Sequence, residues 1–365
     1  MTDDPTSMRW TRRRFLALTA GATATMLAPR PVPAGEPAAS KTTVEALRGL
    51  VQQRALVSED PWVLMHVVLA LGPDAQNANG PLLGGVVARH CTMVAKGGRS
   101  YASFPINVEA HPNHFLEIME AIGVPASRRF TTPGGPIGVD ELLTGAQALF
   151  TPTIAGPELS WTLSVFTAHL RPSMDRFTNA DGQAFTVAAL VEAAAQAAEV
   201  GYADTVAAMR GTKPYGRSTL QTYACNGSHV LYGLFDALRH GYEEKNLRQR
   251  VQDLTKATYF RLGAEVALID QALAAPGQQL NADAAKLQFL GHSIENLRYA
   301  ERHGIYAPSE AERQARATAD RALADVVQRI TTVHNLDALA ASVPRAYRIV
   351  LGDACHALHG LTGES

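Results

Sequence analysis

Apolar residues recur at three- and four-residue spacings along the chain from Lys41 onward, and this periodicity constrains the fold most. Such spacing places side chains on one face of a helix, whereas the alternating pattern of a half-buried strand is scarce. Gly and Pro punctuate the pattern: Asp60-Pro61 is typical of a helix start, and Gly72-Pro73 of a helix end. The sequence therefore predicts an all-α protein.

The predicted helices pair into about six hairpins within residues 41–360, which form one predicted domain. A weak repeat supports the pairing, because 228–241 resembles 291–304. Each copy ends in His-Gly, as expected where Gly closes a helix and His suits the negative end of its dipole. The hairpins are predicted to close into an α/α toroid, with an open helical repeat array or an irregular bundle as alternatives.

The first residues of the chain resemble an export signal. Thr11 to Leu16 (TRRRFL) is followed by a short apolar run and then by Val32-Pro33-Ala34, a small-residue cleavage site. We interpret residues 1–34 as a twin-arginine signal, recognised by the twin-arginine export machinery through residues 11–16. The apolar run is about 14 residues, short of the roughly 20 that span a bilayer. The mature protein is therefore predicted to be periplasmic or extracellular.

Charge and composition exclude several classes of protein. The chain has 33 Lys and Arg against 34 Asp and Glu, which is too balanced for a dedicated nucleic-acid binder. Removing residues 1–34 takes away five Arg and two Asp, and leaves a net charge of −4. No later segment has 18 uninterrupted apolar residues, so no membrane span is predicted in the mature chain. A phosphate-binding glycine loop and a Gly-x-Ser-x-Gly nucleophile motif are both missing from the sequence.

Only three cysteines are present, Cys91, Cys225 and Cys355, and they lie far apart along the chain. In an oxidising compartment one pair could form a disulfide and leave a third thiol. Alternatively all three are small buried residues.

The densest candidate site is the sequence HPNHFLE, which ends at Glu117. If it begins a helix, its spacing places His111, His114 and Glu117 along one helical face. Two imidazoles and a carboxylate there would suit a metal or a substrate. The alternative is that His111 and Asn113 cap the helix while Glu117 is solvated.

A second candidate is the turn-rich sequence YACNGSH, which ends at His229. Asn226-Gly227 permits the backbone angles of a tight turn, and the following Ser is a good helix N-cap. This geometry would direct Cys225 and His229 at whatever lies above the helix start, as metal ligands or as nucleophile and base. The alternative is a packed turn with a buried thiol.

Carboxylates accompany other histidines at helical spacing. Asp236 follows His229 on the same predicted helix, and Glu295 lies three residues after His292, the spacing of an acid–base pair. A cationic His at a helix start opposes the dipole, so His229 and His292, which begin the two repeats, are expected to be neutral. Glu158, at another predicted helix start, is interpreted as structural.

The C-terminal sequence DACHALHG offers Cys355 and His356 as metal ligands. The alternative is an ordinary C-terminal helix that is capped by His359-Gly360.

Two resemblances follow from these segments. Cys225-Asn226-Gly227 together with Cys355-His356 resembles the zinc-binding motifs of lanthionine cyclases, although the two elements lie further apart than in that family and a Trp before the first Cys is missing. The whole chain is similar to exported bacterial proteins with a prenyltransferase/squalene-cyclase-like toroid. The resemblance implies an α/α toroid, and in the first family zinc held by Cys, Cys and His. The Asp-rich and Gln-Trp motifs of terpene cyclases are missing, so terpene chemistry is not implied.

These observations predict an exported α/α-toroid enzyme that performs hydrolysis or elimination on a polar envelope-derived or polysaccharide-type substrate. The predicted acid–base residues are His114, His229, Asp236, His292 and Glu295. The predicted ligands of a metal, with zinc as the first choice, are His66, His111, His114, Cys225, His229, Cys355 and His356. The alternative is a non-catalytic exported helical repeat protein that binds a ligand or partner in its concave surface.

Overall fold

The structure is a computed structural model that describes residues 38–77, 80–152 and 156–363. The signal predicted for residues 1–34 lies outside the described residues. In the described part the chain is mostly helical, as predicted. Its α-helices are α1 (Ala38–Leu50), α2 (Pro61–Leu71), α3 (Leu83–Ala88), α4 (His114–Ala121), α5 (Val139–Leu149), α6 (Leu159–His169), α7 (Val187–Met209), α8 (Ser228–Arg239), α9 (Leu247–Ala272), α10 (Gln279–Arg302), α11 (Glu310–Thr332), α12 (Leu336–Ser342) and α13 (Pro344–Thr362).

Three short antiparallel hairpins interrupt the helices. They pair β1 (Thr92–Lys96) with β2 (Arg99–Ser103), β3 (Arg129–Thr132) with β4 (Gly135–Gly138), and β5 (Arg176–Thr178) with β6 (Ala184–Thr186). The sequence does not predict them, because strands of three to five residues are too short to show an alternating pattern. Between β1 and β2, Gly97 and Gly98 both have positive φ, as the favoured two-residue hairpin turns require.

Six of the helices contact one another in a closed order. Along the chain, α2 packs on α4, α4 on α6, α6 on α8, α8 on α10 and α10 on α13, and α13 packs back on α2. Other helices lie outside this set: α7 contacts α9, α9 contacts α11, and α11 contacts α1. From α6 to α11 the described chain alternates between helices of the closed set and the other helices.

Burial agrees with this division. Every residue of 63–69 in α2, 159–167 in α6 and 350–360 in α13 is buried, which is typical of a helix enclosed on all sides. By contrast, α11 buries only one stripe, including Leu323, Val327 and Ile330, and its other faces carry charged residues. Within the described residues, none of the helices combines the length and apolarity needed to cross a membrane.

Several helix ends follow from the local sequence. Asp60 accepts hydrogen bonds from the amides of Trp62 and Val63 at the start of α2, with Pro61 in the first turn. His240 and His303 end α8 and α10, each followed by a glycine with positive φ. The helix ends predicted at these two His-Gly pairs are therefore confirmed.

Candidate metal centre

Six imidazole rings lie in one connected cluster, and they are carried by α2, α4, α8, α10, α13 and the loop before α4. Ring centroids are 4.9 Å apart for His66 and His114, 5.1 Å for His66 and His356, 4.0 Å for His292 and His356, 5.0 Å for His229 and His292, and 5.9 Å for His111 and His114. The structure thus brings together residues that are separated by up to 290 positions, the difference between 66 and 356.

Most of these histidines do not lie at helix starts. The prediction that His292 begins a helix is wrong. Of the predicted pair only His229 begins a helix, as the second residue of α8, whereas His292 lies in the middle of α10. His66 and His356 also lie inside their helices. His111 precedes α4 instead of sharing a face of it with His114 and Glu117.

Close approach of the helices brings the rings into contact, and glycines permit that approach. A Cβ at Gly360 of α13 would lie 2.7 Å from the Cα of Glu295 in α10, and one at Gly352 would lie 2.5 Å from the ring of Trp62. Real Cβ atoms do not come so close to other atoms. Gly360 therefore permits close packing of α13 on α10. The predicted cap at His359-Gly360 is wrong, because α13 continues to Thr362.

Four of the rings are oriented by a hydrogen bond from Nδ1 to an oxygen that can only accept. The pairs are His66 with the Trp62 carbonyl (2.6 Å), His292 with the Gln288 carbonyl (2.8 Å), His356 with Glu295 (2.8 Å) and His111 with Glu158 (2.8 Å). A neutral imidazole that donates from Nδ1 keeps its lone pair on Nε2. Metal-binding histidines are usually held in this way, with the second nitrogen bonded to a carbonyl or carboxylate.

Four of the rings, those of His66, His114, His229 and His292, favour their neutral form. Burial lowers the pKa of His66, His114 and His229 well below the ordinary value, and neighbouring imidazoles lower it further. Burial, followed by His356, lowers the pKa of His292 to about 3. Neutral imidazole is the form that binds metal ions, so burial prepares these side chains as ligands.

Cys225, His229 and His292 form the group best placed to hold one ion. Each offers one ligand atom, and these atoms all lie within 4.8 Å of one another. The sequence predicted the first two as ligands but assigned His292 only an acid–base role. A thiolate with two imidazoles suits zinc or copper more than magnesium or calcium.

The turn that carries Cys225 is strained. Cys225 and Asn226 have φ of 47° and 56°, and Gly227 follows at 76°. Left-handed backbone at a non-glycine residue costs about 1–3 kcal/mol and persists only where surrounding contacts hold it. The prediction of a tight turn is therefore confirmed, in a more strained form than Asn-Gly alone requires.

Arg261 of α9 contacts the backbone of this turn. Its guanidinium is fully buried and donates to the carbonyl of Asn226 at 3.0 Å and to Glu265 at 3.3 Å. Tyr215 and Gln221 also donate to Glu265, which completes the buried network. No pattern in the sequence distinguished Arg261 from the many solvated arginines of this chain.

Glu295 joins two histidines of α13, and not the neighbouring His292 as predicted. It accepts hydrogen bonds from Nδ1 of His356 at 2.8 Å and from Nδ1 of His359 at 2.6 Å. Burial opposes the charged carboxylate, but the two imidazoles outweigh burial and hold the pKa of Glu295 below its ordinary value. The carboxylate therefore positions His356.

Asp236 lies on α8 with His229 but does not pair with it in the described structure. It accepts a hydrogen bond from the hydroxyl of Tyr299 instead. Burial raises the pKa of Asp236 to about 6, and burial together with Asp236 and Glu295 raises the pKa of Glu117 well above its ordinary value. Both acids are buried, so the alternative of a solvated Glu117 is wrong.

The side of the cluster that reaches solvent carries His111. The His111 ring stacks on Trp161, with centroids 3.8 Å apart and planes inclined by 3°. Trp161 also contacts His229, with centroids 4.7 Å apart. The His111 side chain is 13% exposed, and that of its partner Glu158 is 32% exposed. Glu158, which the sequence analysis interpreted as structural, therefore forms a carboxylate–imidazole pair at the edge of the site.

The cysteines differ in their surroundings. All three are thiols, without disulfide bonds. Cys355 is fully buried in the hydrophobic core, where burial raises the pKa of its thiol. Among the described residues, Cys355 does not belong to the group of Cys225, His229 and His292. The structure therefore gives no support to Cys355 as a metal ligand. Cys225, by contrast, is partly exposed.

Comparison of the chain with protein-family models, with curated proteins and with solved structures finds no match. The function must therefore be inferred from the site itself.

Proposed function

We propose that this chain is an exported metalloenzyme in which Cys225, His229 and His292 bind a transition-metal ion, with zinc as the first choice. The observation that carries the proposal is the convergence of one thiol and two imidazoles within 4.8 Å. Catalytic zinc sites typically use three protein ligands and keep a fourth position for water or substrate. The strain of the turn at Cys225 is also typical of functional sites.

We further propose that the fold is an α/α toroid of about six hairpins. The closed order of contacts among α2, α4, α6, α8, α10 and α13 supports this arrangement. Its inner helices would enclose the metal centre, and its outer helices would shield their apolar faces from water.

The reaction class we propose is hydrolysis or elimination on a polar envelope-derived or polysaccharide-type substrate. A bound zinc ion lowers the pKa of its water to about 7 and polarises the substrate. The His111–Glu158 pair, at the exposed edge of the cluster, is suited to proton transfer because the carboxylate fixes Nδ1 and leaves Nε2 to accept a proton. His229 and His292, together with Cys225, then hold the metal, and Glu295 serves as a positioning residue for His356.

The same proposal includes export of the folded chain through the twin-arginine route, with recognition at residues 11–16. Replacing Arg12 and Arg13 together by Lys should retain the protein in the cytoplasm. Cell fractionation checks this, and normal export of the variant would contradict it.

Cobalt substitution tests the metal site directly. Co²⁺ bound by the mature wild-type chain should show a thiolate-to-cobalt charge-transfer band. Cys225→Ser should lose the band, whereas Cys91→Ser, which changes a partly exposed thiol outside the group, should keep it. A chain that binds no cobalt, or a band that survives Cys225→Ser, would contradict the proposal.

Activity is tested on a panel of envelope polysaccharides by the release of reducing or unsaturated ends. His229→Ala should abolish turnover of whichever substrate the wild type cleaves, while His303→Ala, at the end of α10, should retain it. Metal binding without turnover on any substrate would favour the non-catalytic binding protein that the sequence left as the alternative.

A further inference from the structure

One face of α10 carries a proposed metal ligand between two side-chain amides. Gln288, His292 and Asn296 follow one another at four-residue spacing, which places them along the same face of the helix. His292 and Asn296 are buried, and Gln288 is half-buried. This face meets the segment that carries the other two proposed ligands, Cys225 and His229: the rings of His229 and His292 have centroids 5.0 Å apart.

Both amides of α10 are hydrogen-bonded to that segment. The amide of Asn226 donates to Oε1 of Gln288 at 3.3 Å. The amide of Asn296 donates to the backbone carbonyl of Ser228 at 2.6 Å. Asn226 and Ser228 each adjoin one of the proposed ligands along the chain. Each ligand of the segment therefore has a direct neighbour that is fixed to α10.

Gln288 also fixes the ligand on its own helix. Its backbone carbonyl accepts a hydrogen bond from Nδ1 of His292 at 2.8 Å, while its side chain accepts from Asn226. The orientation of the His292 ring and the position of the strained turn thus depend on the same residue. Asn226 has a φ of 56°, and a strained backbone of this kind persists only where surrounding contacts hold it.

We infer that Gln288 and Asn296 are positioning residues of the proposed metal centre. They hold the turn and the start of α8 against α10, so that the ligand atoms of Cys225, His229 and His292 stay within 4.8 Å of one another. The inference deepens the proposed function and rests on it. Residues that support metal ligands affect metal affinity without touching the ion.

Asn226→Gly tests the contact to Gln288, because it removes the amide and leaves a residue that adopts positive φ readily. The mature variant should bind Co²⁺ about 2–10-fold more weakly than wild type, the effect of one hydrogen bond of ordinary strength. Its thiolate-to-cobalt charge-transfer band should shift or lose intensity. The matched control is Asn246→Gly, since Asn246 is exposed and has a similar φ of 59°. The control should keep the wild-type affinity and band.

A purely structural hydrogen bond would give a different result. Asn226→Gly would then have a lower urea midpoint but the cobalt affinity and band of wild type, and this outcome would overturn the role of Gln288. Gln288→Met removes the same hydrogen bond from the other side. The double variant should therefore bind cobalt as weakly as Gln288→Met alone, and additive losses would contradict the inference.

Asn296→Leu tests the second contact and should also weaken cobalt binding by about 2–10-fold. Circular dichroism confirms that the variant is folded, and an unchanged affinity in the folded variant would overturn the role of Asn296. If wild type shows the thiolate band and every variant matches it, the inference fails and the proposed function stands. A wild-type chain that binds no cobalt would overturn both.

Discussion

Glu295→Gln is the substitution that most directly probes how the cluster is held together. The carboxylate of Glu295 accepts from Nδ1 of His356 at 2.8 Å and from Nδ1 of His359 at 2.6 Å, and all three side chains are buried. Glutamine has nearly the same shape but one acceptor oxygen, so its amide N–H would face one of the imidazole N–H groups. Leaving one buried donor unpaired costs about 1–3 kcal/mol.

We therefore expect Glu295→Gln to reduce the free energy of unfolding of the metal-free chain by about 1–3 kcal/mol. Urea denaturation should show a lower midpoint at an unchanged slope. The affinity for zinc, measured against a competing chelator, should also fall, because the His356 ring packs on the proposed ligand His292 with centroids 4.0 Å apart and a displaced His356 would disturb it.

Glu310→Gln is the matched control, since Glu310 lies on the surface of α11 in a pair with Arg313. It should shift neither the urea midpoint nor the zinc affinity. If Glu295→Gln were as stable as wild type and bound zinc equally well, the carboxylate would not position the histidines, and this part of the account would be refuted.

Three other substitutions, the first with a matched control variant, test packing, titration and a buried ion pair. Gly360→Ala should destabilise the chain by about 1–3 kcal/mol through overpacking. Its control is Gly49→Ala, which has open space at Cβ and should be neutral or stabilise the chain by up to about 1 kcal/mol. Thermal unfolding compares the two variants. In the folded chain burial raises the pKa of Asp236 to about 6. Its contribution to stability is therefore present below about pH 4 and is lost as pH rises through 6. Asp236→Asn should remove that dependence and be more stable at pH 7 by about 2–3 kcal/mol, which denaturation at several pH values checks. Arg261→Met should cost about 3–5 kcal/mol, because it leaves the buried Glu265 without its cation; a loss below 1 kcal/mol in urea would contradict this reasoning.

Much of the helical architecture could be predicted because the signals are local. Asp60 and Pro61 define a helix start through backbone amides within three residues, and the glycines after His240 and His303 define helix ends through their own backbone angles. The hairpins were missed because their strands are short and depend on neighbouring elements, as β2 does on α5.

The composition of the site was partly predictable, but its geometry was not. His66 and His356 come from opposite ends of the chain, and only the closed packing of helices brings their rings to 5.1 Å. Gly360 shows the limit of local reasoning: a glycine after His looks the same whether it ends a helix or admits a neighbouring backbone. The partners of Glu295 and Asp236 also depend on contacts between helices, so their sequence neighbours were misleading.

The central claim is that Cys225, His229 and His292 bind one metal ion. Anomalous diffraction at the zinc absorption edge, on crystals of the mature chain grown with zinc, tests it most directly. The account predicts an anomalous peak about 2.3 Å from the sulfur of Cys225 and about 2.1 Å from a nitrogen of each histidine. A map without a peak at this position, from crystals that contain zinc, would contradict it.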